Sequence, residues 1–328
     1  MAAGLLAACG GSTAATPAAG AIDKAPITFG SDSSPDQAYL PLLMALDSMK
    51  KQGYNVQPAV QLNTTELLVQ ALSNDQIQFM SSGVIALAAA VDKGINMKVI
   101  SSRGNNTWNF VSTNDINSCD QLNGKKVALF STNGTSSAYV NIWMAKNCPN
   151  SKPQILIIPD SASRAQALLT GQISGAPLET DGTVELTKGH ADKFHVLASF
   201  AEVLPGIGRD EVVTNSQTLT KHPEIVKAFI KAQLEAIRSM YKDPSLTAKN
   251  DAKYLKLGDN ATAIAKFYTD QKAWCANGGL DPGDQQGQLK AFQDAKKVPV
   301  SVTTATLVDD GPMKSVLAAI GTSTATKC

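Results

Sequence analysis

The chain has 328 residues, 29 of them Lys or Arg and 28 Asp or Glu, for a net charge of +1. That balance offers no basic stripe for a nucleic-acid backbone, and no apolar run approaches the roughly 20 residues of a membrane-spanning helix. Aromatic residues make up only 5%, so the core must rest on Ala, Val, Leu and Ile, in a chain long enough for two ordinary domains.

At the N-terminus, Leu6-Ala7-Ala8-Cys9 resembles the bacterial lipobox, in which a signal peptidase cleaves before a cysteine whose thiol carries diacylglycerol. The Thr-, Ala-, Pro- and Gly-rich run after it buries too little apolar surface to fold. Residues 1–24 are set aside as a lipoprotein leader and flexible tether. Cys9 is the expected lipidation site, with an extracytoplasmic, membrane-anchored chain as the consequence. The remaining cysteines, Cys119, Cys148, Cys275 and Cys328, suit disulfides in an exported protein, and four cysteines allow three pairings. Cys119 and Cys148 flank one strand–helix unit, whereas Cys275 and Cys328 would tie the C-terminal tail to a late helix. No CxxC and no Cys/His cluster occurs, so no metal is expected.

In chain order, Ile27–Gly30 reads as a strand, followed by a helix with apolar Leu40, Leu43, Met44 and Leu46 that stops near Gly53. Val56–Leu62 is a second strand. Thr64 or Thr65 with Glu66 opens a helix, Ile77–Met80 is a strand, and Ser81-Ser82-Gly83 starts an apolar helix through Val91. Met97–Ile100 and Lys125–Phe130 are strands, the second leading into a helix over about 138–146. Ile155–Ile158 reads as a buried strand, then a helix capped by Asp160 or Ser161, a strand from Ile173 to Leu178, and another helix. From Pro223, the spacing of Ile225, Val226, Phe229, Ile230, Leu234, Ile237 and Met240 predicts one long amphipathic helix. Strands alternating with helices predict an α/β chain with largely parallel sheets.

One unit occurs twice. Gln70-Ala71-Leu72-Ser73-Asn74-Asp75-Gln76-Ile77 returns as Gln166-Ala167-Leu168-Leu169-Thr170-Gly171-Gln172-Ile173, identical at five of eight positions, and each copy leads to a Lys-Gly stop at Lys93-Gly94 and Lys188-Gly189. Two copies are too few for a solenoid and suggest paired lobes with a cleft between them. The expected division is lobe one from 25–111 plus 213–328 and lobe two from 112–212, with a double hinge near 109–114 and 210–215.

In open α/β sheets, ligands bind beyond the carboxyl ends of the strands, facing helix N-termini. Three such loops are rich in hydroxyls, and from them we expect Ser33, Ser81, Ser82, Ser131, Thr132, Thr135 and Ser136 to contact a small oxyanion. Ser and Thr also serve as ordinary helix caps. Asp32, Glu179 and Asp181 stand at equivalent strand ends, where they would receive a ligand amine, ring N–H or hydroxyl, or line a solvated rim. Trp108 offers a ring for stacking, and Arg103 a fork for an anion, whereas Trp143, inside a helix, is expected in the core. His190, His195 and His222 have no nucleophile near them in sequence, and no GxSxG, Walker loop, GxGxxG or HExxH occurs. Catalysis is not expected.

Gln70-Ala71-Leu72-Ser73 with Ile77, Ser82-Gly83-Val84-Ile85-Ala86 and Lys93-Gly94 resemble the "AL…G…D…G…A…KG" stretch of periplasmic binding proteins from the nitrate/sulfonate/taurine class of ABC importers, together with their relatives for thiamine-precursor pyrimidines. Cys119–Val127 is similar to their "DLKGKKVAV" opening of lobe two, and Thr220–Phe229 to their "PE.VKAF" return helix. The resemblance implies a two-lobed type II periplasmic-binding-protein-like fold. It also implies a monomer that captures a small solute (sulfonate, nitrate, carboxylate or pyrimidine-like) without a cofactor and hands it to a permease–ATPase complex. Gln78 and Ser174 stand where the family commonly has Asp, so the class transfers and the substrate does not. The rival expectation is an enzyme of the same fold acting on a small heterocycle, or a sensor that binds without transport.

Overall fold

A computed structural model describes residues 22–328 apart from 33, 63, 133, 205 and 209. Cys9 and Ser33 lie outside the described residues. Residues 22–24, expected as the end of a flexible tether, are instead fastened to the folded body. Asp23 pairs with His222 Nδ1 at 2.8 Å, and Lys24 Nζ donates to the Gly53 carbonyl at 2.7 Å.

The chain opens with β1 (Phe29–Ser31), α1 (Leu40–Lys51), β2 (Val60–Gln61), α2 (Thr65–Ser73), β3 (Phe79–Ser82), α3 (Val84–Asp92) and β4 (Met97–Ser102). It crosses to β5 (Asn109–Thr113), β6 (Lys126–Leu129), α4 (Thr135–Asn147), β7 (Gln154–Ile157), α5 (Ser161–Leu169), β8 (Gly175–Leu178), α6 (Thr180–Gly189), β9 (Phe194–Ser199) and the short α7 (Phe200–Val203). It returns through β10 (Glu211–Asn215), α8 (Ser216–Lys221) and α9 (Pro223–Lys242). The rest is helical: α10 (Ser245–Tyr254), α11 (Ala261–Asp270), α12 (Pro282–Asp294), α13 (Thr304–Leu307) and α14 (Gly311–Ile320).

The strands form two five-stranded sheets, ordered β2-β1-β3-β10-β4 and β7-β6-β8-β5-β9. Four strands of each run in one direction, and the strand that follows a crossover, β10 or β5, is inserted antiparallel between the third of them and the edge strand. Both lobes thus have one plan, the two-lobed mixed α/β architecture expected from the sequence. The boundaries move by a few residues. Residues 109–111, expected in lobe one, lie in β5 of the second sheet. Residues 211 and 212, expected in lobe two, open β10 of the first.

The repeated octapeptide explains part of the common plan. Asp75 and Gly171 both adopt positive φ, at 58° and 69°, and stop α2 and α5. After each stop the chain turns back identically. Gln76 N–H bonds the Ala71 carbonyl and Gln172 N–H the Ala167 carbonyl, both at 2.9 Å. Ile77 and Ile173 follow, each 2% exposed, and plug the helix against the next strand. Glycine accepts this turn at little cost. Asp75 is held in it by hydrogen bonds from Gln78, Asn215 and Gln217 to its side chain.

The core of lobe one centres on Phe79 stacked on Phe229 with ring centroids 4.3 Å apart, and α9 packs along α1 with Phe229 and Ile230 fully buried. In lobe two, Phe110 meets Trp143, which is buried as expected of a helix-interior tryptophan. The strand at 155–158 departs from expectation. Its apolar run predicts burial, but β7 is the edge strand of its sheet, and Ile155, Leu156 and Ile157 are 37–47% exposed.

Both disulfides form, Cys119–Cys148 and Cys275–Cys328. The second closes a 53-residue separation and holds the C-terminus against the loop between α11 and α12. On the chain-entropy model, losing such a crosslink costs about 4 kcal/mol. A Cys275→Ala/Cys328→Ala variant should therefore unfold in urea with stability lowered by roughly that amount. A change below about 1 kcal/mol would show that the tail is held by packing alone.

Candidate functional site

The carboxyl ends of β1, β3 and β6 lead into the loops picked out by their hydroxyls, and that of β8 leads to Glu179 and Asp181. Among the helices that follow, α3 starts at Gly83, α4 at Gly134 and α6 at Glu179, and none has a side-chain cap. By contrast, α2, α5, α8, α12 and α13 are capped by Thr64, Asp160, Asn215, Asp281 and Thr303. The serines and threonines at α3 and α4 are thus not serving as N-caps. The first-turn N–H groups there carry partial positive charge and keep their donors for something else.

Two of these helix starts meet across the lobes. A Cβ added to Gly83 would stand 1.9 Å from Thr135 Oγ1 and 3.4 Å from Asp210 Oδ1. Gly83 has an ordinary φ of −69°, so its value lies in letting the second lobe approach, not in backbone freedom. At Gly134, a Cβ would meet the Phe130 ring at 2.6 Å and Ser131 Oγ at 2.8 Å, which fixes the tight turn into α4.

Between these helix starts lies a charged cluster. Arg103, 3% exposed, pairs with Asp210, and its guanidinium lies 3.9 Å over the Tyr39 ring. Asp32 accepts from Thr65 Oγ1 at 2.7 Å, and Ser82 Oγ donates to the same threonine oxygen at 3.4 Å. Burial raises the Asp32 carboxyl above its ordinary value, and the charge of Asp210 adds to the rise, against the pull of Thr65 and Arg103. The Arg103 fork, expected to clamp an anion, is thus engaged with a carboxylate, and the cluster holds two carboxylates to one guanidinium.

The other expected residues are placed as follows. Ser81 is fully buried in β3, its hydroxyl without a partner among the described residues. Ser136 is buried in the first turn of α4, and Ser131 N–H donates to Ser137 Oγ at 3.4 Å. Thr132 is exposed, and its carbonyl accepts from Lys297 of lobe one at 3.5 Å. Glu179 and Asp181 are half-buried at the start of α6, with Glu179 N–H donating to Ser161 Oγ. Trp108 lies on the first crossover, its ring 5.7 Å from the Arg164 guanidinium. Arg164, Tyr39, Thr65, Gly83 and Asp210 were not singled out from sequence. Arg164 is fully buried and donates to the Ile158, Pro159 and Pro177 carbonyls, and burial lowers its pKa to about 10. The Asp210-Glu211 pair beside the expected second hinge was the one sequence signal that could have drawn notice.

A cavity of about 340 Å³ lies elsewhere. It lies against both crossovers and α12, and none of the residues expected to bind ligand lines it. At the hydroxyl-rich rim, Thr135 sits directly on Gly83 and Arg103 on Asp210, so the lobes leave little space there. Glu211 faces the cavity. Burial raises its pKa from 4.5 to about 7, opposed by hydrogen bonds from Gln285 and Gln288 and assisted by the charge of Asp210. Asp251 is raised to about 7 as well, by burial.

A carboxyl with a raised folded-state pKa binds protons that the unfolded chain has already lost. Its contribution is complete below pH 4.5 and disappears as pH rises towards 7. Folding stability should therefore fall across this range by up to about 3 kcal/mol for each such group. Urea titrations should find the fall cut by about half in Glu211→Gln. An unchanged slope would mean that Glu211 is not the titrating group.

No curated protein matches the sequence. Among solved structures, the periplasmic nitrate-binding protein of Synechocystis superposes with a TM-score of 0.73 at 12% identity, over 91% of this chain and 90% of its own. The ligand-binding component of an ABC-type import system from Staphylococcus aureus, with zinc bound, gives 0.71 at 16%, over 89% and 98%. The alkanesulfonate-binding protein of Xanthomonas axonopodis, bound to MOPS, gives 0.66 at 16%, over 89% and 100%. At these identities the likeness establishes the periplasmic-binding-protein fold, and function must be argued from the site. The sequence itself matches the family model described as NMT1/THI5 like over residues 50–246, more than half of the chain, and on that match this protein belongs to the NMT1/THI5-like family.

Proposed function

We propose that this chain is the extracytoplasmic solute-binding component of an ABC importer. It captures a small solute between its lobes and delivers it to a membrane permease and ATPase while tethered through a lipid on Cys9. The observation that carries the reading is the meeting of α3 and α4 across the lobes at Gly83 and Thr135, both helix starts lacking a side-chain cap. Donors of this kind suit an acceptor group such as a sulfonate, carboxylate, nitrate or ring carbonyl. Asp32 and Asp210 around Arg103 add acceptors for an amino or ring N–H edge, which favours a solute with both kinds of group, as a pyrimidine-like compound has. Ser81, Ser82, Ser131, Thr132, Ser136, Glu179, Asp181 and Trp108 stand on the same strand ends and crossover.

The mechanism is capture without turnover. A solute that touches both lobes shifts an open–closed equilibrium by its differential affinity for the closed form. Micromolar affinity corresponds to about −8 kcal/mol, within reach of several charge-assisted hydrogen bonds in a closing cleft. Two of the three histidines serve contacts remote from this cluster, His195 with Asn114 and His222 with Asp23.

Screening alkylsulfonates, nitrate, aromatic carboxylates and aminopyrimidines by thermal shift should find a compound that raises the melting temperature and is recovered unchanged. At a concentration of 100 times Kd, the expected stabilisation is about 2.7 kcal/mol. A flat response to the whole panel, or conversion of the compound, would sink the proposal. Gly83→Ala should hold the lobes apart through its clash with Thr135, weakening that compound's binding about tenfold or more while small-angle scattering reports a larger radius of gyration. Unchanged affinity in this variant would remove Gly83 and Thr135 from the site.

A further inference from the structure

The cavity against the crossovers is built differently from the hydroxyl-rich rim. Both connections between the lobes contribute to it, Ser102–Asn109 from one side and Ser199–Glu211 from the other, with α12 closing over them. Glu211 is 1% exposed and lines it. Its Oε1 accepts from Gln285 Nε2 at 3.2 Å and from Gln288 Nε2 at 3.0 Å. Its Oε2 makes no hydrogen bond of normal geometry among the described residues, although the neighbouring Ser102 hydroxyl stands close enough to the carboxyl to oppose the rise in its pKa. Asn106, 3% exposed on the same wall, presents the complementary vacancy. Its Oδ1 accepts from Trp108 N–H, while its Nδ2 is buried with no partner among the described residues. A Cβ on Gly208 would stand 3.0 Å from Gln288 Oε1, so the glycine keeps the space beside the glutamine–glutamate cluster clear.

Buried polar atoms are rarely left unmatched, because each costs on the order of 1–3 kcal/mol. Here an unmatched acceptor and an unmatched donor belong to two residues that line one cavity large enough for a small organic molecule. The charge of the described lining is of one sign. Glu202, Glu211 and Asp284 contribute carboxylates, and no Lys, Arg or His is present among them. These carboxylates are not gathered into a metal cage, since no group of three or more His, Cys, Asp or Glu among the described residues is placed to hold an ion. Leu204, Ile207 and Phe267 supply apolar wall.

We propose that this cavity is a second binding site, separate from the cleft, for a small primary ammonium ion that also carries a hydroxyl or carbonyl oxygen. The ammonium pairs with Glu211 Oε2, and the oxygen accepts from Asn106 Nδ2. The inference does not rest on the reading of the cleft and stands or falls independently of it.

The test uses the full chain with ethanolamine, n-propylamine and n-propanol as probes, followed by titration calorimetry at pH 8. Ethanolamine is expected to bind one to one, n-propylamine several-fold more weakly, and n-propanol not measurably. Glu211→Gln keeps the shape and the amide contacts but removes the charge, and should weaken ethanolamine at least about tenfold. Asn106→Ala should bring ethanolamine down to the level of n-propylamine. Ala201→Phe, at an exposed position on the cavity wall, fills the space with Glu211 intact and should abolish binding even if Glu211→Gln folds poorly. Asp32→Asn, in the cleft, should leave ethanolamine affinity within about twofold. Equal binding by wild type and Glu211→Gln, equal binding of n-propanol, loss of binding in Asp32→Asn, or no heat from wild type at millimolar ethanolamine would each overturn the proposal. The cleft solute's thermal shift, measured in Glu211→Gln, reports on the other reading separately.

Discussion

Arg103 and Asp210 join the two crossovers between the lobes. Their side chains pair, and the Arg103 N–H also bonds the Asp210 carbonyl at 3.0 Å. One crossover is thereby laced to the other. Removing Arg103 would leave the Asp32 and Asp210 carboxylates without their shared cation, and breaking a buried pair in this way typically costs about 3–5 kcal/mol. The Tyr39 ring under the guanidinium and the nearby Asp32 make this the point from which the cleft is measured. The approach of Thr135 to Gly83 and the shape of the crossover cavity both depend on how these two crossovers are held.

The two consecutive acids of the second crossover divide the work. Asp210 turns to Arg103, whereas Glu211 turns to Gln285 and Gln288 on α12. A chain that bends at this point must disturb both sets of partners together. Tyr139 of α4 adds a further link, with its hydroxyl donating to the Gly208 carbonyl and its ring 6.0 Å from Phe292 of α12.

Within each lobe, stability is more conventional. The antiparallel insertion of β10 gives the first sheet a strand from after the second crossover, so lobe one is built from two chain segments, whereas the second sheet, β5 to β9, comes from one continuous stretch. The exposed β7 edge is the exception to good burial. Its Ile155-Leu156-Ile157 run keeps 37–47% exposure because, among the described residues, no strand lies beyond it.

Sequence alone determined the alternation of strands and helices, the pairing of lobes and the strand ends that bear hydroxyls. These follow from local chemistry: the repeat from Gln70 and Gln166 dictates a helix stop at Asp75 or Gly171, and apolar spacing from Ile225 to Met240 dictates one long helix. With Cys9 set aside, the four remaining cysteines left all three of their pairings open. What sequence left undecided is long-range. Whether Arg103 meets an anion or Asp210 depends on a residue 107 positions away, and whether Ile155–Ile158 is buried depends on which strand closes the sheet. Gly83 reads as an ordinary helix start until Thr135 of the other lobe is set against it. Periodicity records only what a segment does with its neighbours, whereas charge pairing, burial and cavity shape are set by elements that folding alone brings together.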